Sequence, residues 1–235
     1  MSGIAERLAQ VQESMAVAAR LSGRSPESVR LVAVSKTHPI NLVCEAFSAG
    51  QIDFGENRVQ ELATKVPELP EARWHLIGPL QTNKTRQLLA LRPALIQSVG
   101  SHRVFEALIR HSAEGYSASS PLNILLQVNI SEEEQKSGFE HLDDVRRALD
   151  WLLAHPDGRR IRVGGLMGMA SFTDDSTIVR KQFAYLARCL SELGSYRCPE
   201  APLTELSMGM SGDYLIAIEE GATLVRVGSA IFGSR

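Results

Sequence analysis

Residues 29–39 read VRLVAVSKTHP, and Lys36 within them is the first group on which chemistry can be built. The residues before it are mainly apolar and rich in valine, as in a buried strand. The amine therefore stands where a core strand comes out into the open. A lysine at a strand end is by default a solvated charge, but its amine is also a nucleophile toward an aldehyde carbon. Two later segments bear on the choice. LSMGMSGDYLIAIEEGA (206–222) runs from a strand through glycines and serines into a helix, and VRVGSAIFG (225–233) does much the same. Glycine permits close backbone approach, serine donates a hydrogen bond, and a helix N-terminus carries partial positive charge. Either segment alone reads equally well as a tight turn with an ordinary cap. The pair favours a phosphate.

A ligand with an aldehyde at one end and a phosphate at the other would connect the two features. Pyridoxal 5′-phosphate is such a molecule, and it forms a Schiff base with a lysine amine. Arg226 fits the same picture. It lies between Val225 and Val227, so its side chain is expected to point into the interior, where a guanidinium needs a partner. A pyridine nitrogen is one acceptor, and a cation beside it keeps that nitrogen unprotonated. A salt bridge to Glu205 or Glu56 is the alternative.

The elements that must position these groups alternate along the chain. Strand-like runs occupy 30–36, 51–57, 73–80, 94–100, 123–129, 162–170, 203–211 and 223–233. Helix-like segments lie between them at 41–50, 57–69, 143–156 and 176–194, and Lys84 and Arg86 mark the start of a surface helix. Ile4, Leu8, Val11, Met15 and Ala18 add an N-terminal amphipathic helix whose repeat is too short for a coiled coil. Eight strand–helix repeats without a linker imply an α/β fold, a closed (β/α)8 barrel, in one domain over 1–235. A doubly wound open sheet is the rival. In a barrel, functional groups collect at the C-terminal strand ends. Lys36, Asn57, His75, Met167, Ser207, Arg226 and the Gly228–Ser229 turn all fall there.

Composition excludes several classes. The 235 residues carry a net charge of −2, which gives no electrostatic case for nucleic acid or an anionic membrane. Three cysteines without CxxC spacing suit a reducing cytoplasm, and the six histidines lack metal-ligand spacing. The glycines match neither a dinucleotide fingerprint nor a P-loop.

Eight motifs in fixed order carry a resemblance: VAVSKTHP, FGENRVQE, WHLIGPLQTNK, SVGS, LLQVNISEEEQKSGF, GLMGMA, LSMGMSGD and VRVGSAIFG. Over essentially its whole length the chain resembles the YggS/PROSC family of pyridoxal phosphate homeostasis proteins. The resemblance implies a TIM barrel of the fold type III class, like the N-terminal domain of alanine racemase, with pyridoxal 5′-phosphate held as a Schiff base on Lys36. It places Asn57 and His75 beside the ring, with Met167 packed near it. Ser207 is placed on the phosphate with Gly228 and Ser229, and Arg226 on the pyridine nitrogen. Lys136 is a loop charge by its surroundings, although its family motif allows a part in cofactor entry. Three departures stand out: His38 where relatives often have lysine, Ser229 for threonine, and an end soon after IFGSR.

Two functions compete on this basis. One is a cytoplasmic, monomeric carrier that buffers pyridoxal phosphate or delivers it to apoenzymes, with no catalytic residue. The other is a racemase-type enzyme, which needs acid–base groups on both faces of the substrate α-carbon. Lys36 serves one face. The second has no evident occupant, because Tyr116, Tyr185 and Tyr196 fall on loops or helices and Tyr214 follows the phosphate loop. No length is expected for the second domain that positions such a group in alanine racemase. A sugar-phosphate enzyme is a third reading and would depend on Glu56, which also suits a helix-capping role.

Overall fold

The computed structural model describes residues 3–131 and 137–233. Within them eight parallel strands close into a barrel in chain order. They are β1 (Arg30–Val34), β2 (Asp53–Glu56), β3 (Arg73–Leu76), β4 (Leu95–Val99), β5 (Leu122–Gln127), β6 (Ile161–Met167), β7 (Glu205–Ser207) and β8 (Leu224–Val227). The barrel closes where β8 pairs with β1, setting Val32 opposite Arg226 and Ala33 opposite Val227. The rival open sheet is excluded. Lys136 lies outside the described residues.

Each strand alternates its faces, as the pleat requires. Leu31, Ala33, Phe54, Trp74, Leu76, Ile96, Val225 and Val227 join the large core between barrel and helices. Their neighbours Val32, Leu95, Leu125, Met167 and Leu224 form a separate apolar cluster. Alternation assigns that cluster to the barrel interior. Apolar residues on both faces are why these strands read as continuous hydrophobic runs.

Around the barrel lie α2 (Ile40–Ser48), α3 (Val59–Lys65), α4 (Thr85–Ala90), α5 (His102–Ser112), α6 (Leu142–Ala154), α7 (Ser176–Glu192), α8 (Tyr214–Glu219) and α9 (Ser229–Phe232). Preceding them, α1 (Ile4–Leu21) buries Ile4, Leu8, Val11, Met15, Ala18 and Ala19 against α2, α8 and α9. Its flanking cations satisfy carbonyls at the C-terminal ends of two helices. Arg7 donates to Ile231 O at 2.6 Å, and Arg24 donates to Ile218 O at 3.0 Å and Ala222 O at 2.8 Å. The N-terminal helix thus braces the elements that follow β7 and β8.

Two strands are shorter than their apolar runs. The run at 203–211 ends as a strand at Ser207, since Gly209 takes φ 90° and turns the chain. The run at 223–233 ends at Val227, and its remaining apolar residues belong to α9.

Because α1 buries Leu8 and leaves Leu21 exposed, the two leucines should differ sharply on truncation. Leu8→Ala is expected to lower unfolding free energy by about 2–4 kcal/mol. Leu21→Ala should stay within about 0.5 kcal/mol of wild type. Urea denaturation of the two variants checks this.

Candidate functional site

Lys36 follows β1 directly and is half-buried. Its amine has no hydrogen-bond or ion-pair partner among the described residues. The backbone around it is tightly held. Ser35 N donates to Gly55 O at 3.1 Å, His38 N to Ser35 O at 3.0 Å, and His38 stacks on Phe232. Thr37 sits at φ 65°, a left-handed conformation unusual for a β-branched residue.

Beside this turn, across the β1–β8 seam, lie the two glycine loops. Gly228 packs so closely that a Cβ there would stand 3.0 Å from Val34 O. Its N–H donates to Ser211 Oγ at 3.1 Å, tying the β8–α9 turn to the β7–α8 loop. Gly209 has φ 90°, and a Cβ on it would meet Ala217 and Tyr214. Met210 N donates to Asp213 Oδ1 at 2.5 Å, which closes the same loop. Ser229 is exposed at the start of α9. The result is a pair of linked glycine turns at the C-terminal end of the barrel, with the Lys36 turn as their neighbour.

Below them lies Arg226, 4% exposed. Its guanidinium donates from Nη1 to Ser207 Oγ at 2.6 Å and from Nη2 to Gly168 O at 3.0 Å. Neither carboxylate considered from sequence reaches it. Glu205 pairs with Arg30 at 2.6 Å and accepts from Thr223, while Glu56 pairs with Lys65. Burial pushes the Arg226 pKa down to about 10, opposed by the field of Asp213, so the group stays charged at neutral pH.

The hydrogen bonds continue across the interior. Ser207 Oγ donates to Gln97 Oε1 at 2.6 Å, Gln97 Nε2 reaches His75 Nδ1 at 2.9 Å, and His75 Nε2 reaches Asp53 Oδ1 at 2.8 Å. Burial pushes the His75 pKa down by more than the bond and charge of Asp53 raise it, so the ring is neutral. Burial also acts to raise the Asp53 carboxyl, but the His75 bond and the charges of Arg73 and Arg30 hold it below its ordinary range. With Asp53 ionised, His75 carries its hydrogen on Nε2 and accepts at Nδ1. Every donor in the chain then points from Arg226 toward Asp53, so the intervening dipoles align with both terminal charges.

This geometry sorts the residues expected from sequence. Lys36, Gly228 and Ser229 lie at the mouth, and Asn57 follows β2 there, half-buried, with its carbonyl oxygen against Gly78. Met167 is fully buried in the interior cluster. His75 and Ser207 have every polar atom engaged inside the barrel. The Ser207 proton, expected on a phosphate, is given to Gln97. Sequence reading missed Gln97 and Asp53. A glutamine in the otherwise apolar run ALIQSVG (94–100) was the available signal for the first.

A second polar cluster backs the Lys36 turn. Glu56 Oε1 accepts from Lys65 Nζ at 2.6 Å and from Ser35 Oγ at 2.7 Å, and its Oε2 is buried without a donor. Burial raises the Glu56 pKa to about 7, against the pull of Lys65 and Ser35. Among the described residues no group of three or more His, Cys, Asp or Glu is placed to hold a metal ion.

Comparisons with known proteins agree with one another. Residues 7–235 match the family described as alanine racemase, N-terminal domain. The pyridoxal phosphate homeostasis protein of Pseudomonas aeruginosa is 41% identical, over 100% of this chain and 97% of its own. Its Escherichia coli namesake is 38% identical, over 100% and 98%. The solved structure of PipY from Synechococcus elongatus with PLP bound superposes with a TM-score of 0.79 at 37% identity, over 98% of this chain and 100% of its own.

Two outcomes check this site. Ser207→Ala should lower the stability of the ligand-free protein by about 1–3 kcal/mol, since it strands Arg226 Nη1 and Gln97 Oε1 in the interior; thermal unfolding measures it. Glu56, with its folded pKa raised from 4.5 to about 7, contributes stability that is full below pH 4.5 and lost as pH rises through 7. Unfolding measured from pH 5 to 8 should show that decline in wild type and a flatter profile in Glu56→Gln.

Proposed function

The chain belongs to the family of the alanine racemase N-terminal domain, and from that premise we propose that it binds pyridoxal 5′-phosphate and serves in its homeostasis. It holds the cofactor as a Schiff base on Lys36 and buffers it or hands it to apoenzymes, without catalysing a reaction of its own. One observation carries this reading: an unpartnered amine on the β1 turn, set by the β1–β8 pairing beside the Gly228 turn and above a buried guanidinium that makes no ion pair. The full-length identity to proteins named for pyridoxal phosphate homeostasis, and the likeness to PipY, whose structure has PLP bound, support the same ligand.

The residues fit the group. When bound, pyridoxal 5′-phosphate supplies an aldehyde that a primary amine holds reversibly and a ring that draws electrons. Arg226 offers the ring nitrogen a donor and a positive charge, which keeps that nitrogen unprotonated and makes the ring a poorer electron sink. Ser207 and Gly168 orient Arg226, and Ser207 is assigned to that task rather than to phosphate. His75 acts through Gln97 and Ser207 on the same arginine. Asn57 and Met167 would be the further residues to hold the ring, Asn57 from the end of β2 and Met167 from the interior cluster. The phosphate falls to Ser211, the Gly228 N–H and Ser229, with Gly209 shaping the loop.

The carrier reading is favoured over a racemase by where the tyrosines are. Tyr116 donates to Leu89 O, and Tyr116, Tyr185 and Tyr196 all pack against the large core between barrel and helices. Tyr214 begins α8 and packs against the outer core. None of these hydroxyls is stationed opposite Lys36 for proton transfer. No helix of the described residues is long and apolar enough to cross a membrane. A cytoplasmic monomer completes the proposal.

Titration of the purified protein with pyridoxal 5′-phosphate is expected to give visible imine absorbance in wild type and none in Lys36→Ala, with folding unchanged. Loaded protein should restore activity to a pyridoxal-phosphate-dependent apo-aminotransferase, and should exchange no α-proton of alanine in deuterated water. Absorbance retained by Lys36→Ala would remove Lys36 from its role, and steady α-proton exchange would move the protein to the racemase class.

A further inference from the structure

The charged cluster behind the Lys36 turn is not explained by cofactor contacts. It comes from three elements. Glu56 ends β2, whereas Glu61 and Lys65 lie one helical turn apart on α3. Lys65 is 6% exposed, and its ammonium donates to Ser35 O at 2.8 Å as well as to Glu56. Glu61 Oε2 accepts from Thr37 N at 2.8 Å. The cluster therefore grips the backbone on either side of Lys36, at the Ser35 carbonyl and the Thr37 amide, and leaves Lys36 itself untouched.

That grip falls where the chain is strained. A threonine at φ 65° is unfavourable and persists only where its surroundings over-determine it. Burying a lysine and a glutamate also costs free energy, which cofactor-independent packing of α3 on the barrel would not require. Apolar side chains at 56 and 65 would join β2 to α3 at least as well. What they could not do is hold the Ser35 carbonyl, which Lys65 grips on one side of Lys36 while Glu61 grips the Thr37 amide on the other.

We infer that Glu61 and Lys65 are positioning residues for Lys36, fixing from either side the turn that directs its amine. The inference rests on the assignment of Lys36 as the amine that condenses with pyridoxal 5′-phosphate. In that condensation the Nζ lone pair adds to the aldehyde carbon, the nitrogen loses its protons, and the carbonyl oxygen leaves as water while the C=N bond forms. A turn already set in the reactive conformation speeds this step and favours its product. Binding through ring and phosphate alone owes nothing to it.

Glu61 is only half-buried, so Glu61→Ala should fold. Two probes separate the roles: pyridoxal 5′-phosphate, and pyridoxine 5′-phosphate, whose alcohol cannot form an imine. Stopped-flow absorbance and equilibrium titration of Glu61→Ala should show condensation slowed and pyridoxal 5′-phosphate affinity weakened by about tenfold, the effect of one lost charge-assisted hydrogen bond. Affinity for pyridoxine 5′-phosphate should match wild type. Glu61→Gln, whose side-chain oxygen still accepts from Thr37, should recover most of the rate. Equal weakening of both ligands would make the cluster a general support of the pocket and overturn the inference. So would a Glu61→Ala variant indistinguishable from a wild type that does condense at Lys36. If wild type and Lys36→Ala give the same absorbance, the Lys36 assignment falls first and takes this inference with it.

Discussion

Arg226 constrains the barrel interior more than any other group. Removing a guanidinium from water costs several kcal/mol or more unless its donors are met, and here a hydroxyl and a main-chain carbonyl meet them. That choice has consequences along the whole hydrogen-bond chain. Ser207 must pass its own proton onward, Gln97 must face its oxygen toward Ser207, and His75 must be neutral with an open Nδ1. Asp53 closes the sequence as an anion at the opposite rim. Three neutral side chains thus join the cation to that anion, while the carboxylate whose field acts on Arg226 itself is Asp213. A carboxylate at the site of Ser207 would neutralise the cation locally and attract a protonated ring nitrogen. The chain keeps a cationic field below the mouth, which suits an acceptor ligand.

Closure of the sheet supplies the second requirement. Lys36 follows the first strand and the Gly228 turn follows the last, yet pairing of β1 with β8 makes them neighbours. The contact is close enough that Gly228 leaves no room for a side chain beside Val34 O. The N-terminal helix then braces the same region from outside, through Arg7 on α9 and Arg24 on the end of α8. An amine and a glycine turn far apart in the chain are held at a fixed spacing by the barrel rather than by either loop.

Much of this was legible in the sequence. Runs that are mostly apolar marked the strands, because strands covered on both faces have no solvent-facing side; the polar residues within them, such as Asp53, His75, Gln97 and Arg226, are buried. Strand ends were less legible: the backbone leaves the sheet near Gly209 and Gly228 while apolar residues continue into α8 and α9. Lys36, Arg226 and the glycine turns were legible because each is an unusual residue type for its place. The partners of Arg226 were not. Ser207 and Gln97 lie 110 residues apart, and only the register of a closed barrel brings them together. Lys65 was also hidden. It sits in an ordinary amphipathic segment, on the same helix face as Val59 and Leu62, where a lysine reads as surface charge until its burial is seen.

The central claim is that Lys36 exists to hold an aldehyde. The most direct measurement is borohydride reduction of the purified protein loaded with pyridoxal 5′-phosphate, followed by peptide mass mapping. The account predicts one pyridoxyl adduct, on the peptide carrying VAVSKTHP and at Lys36. An adduct on another lysine, or none on a protein that nonetheless binds the ligand, would contradict it.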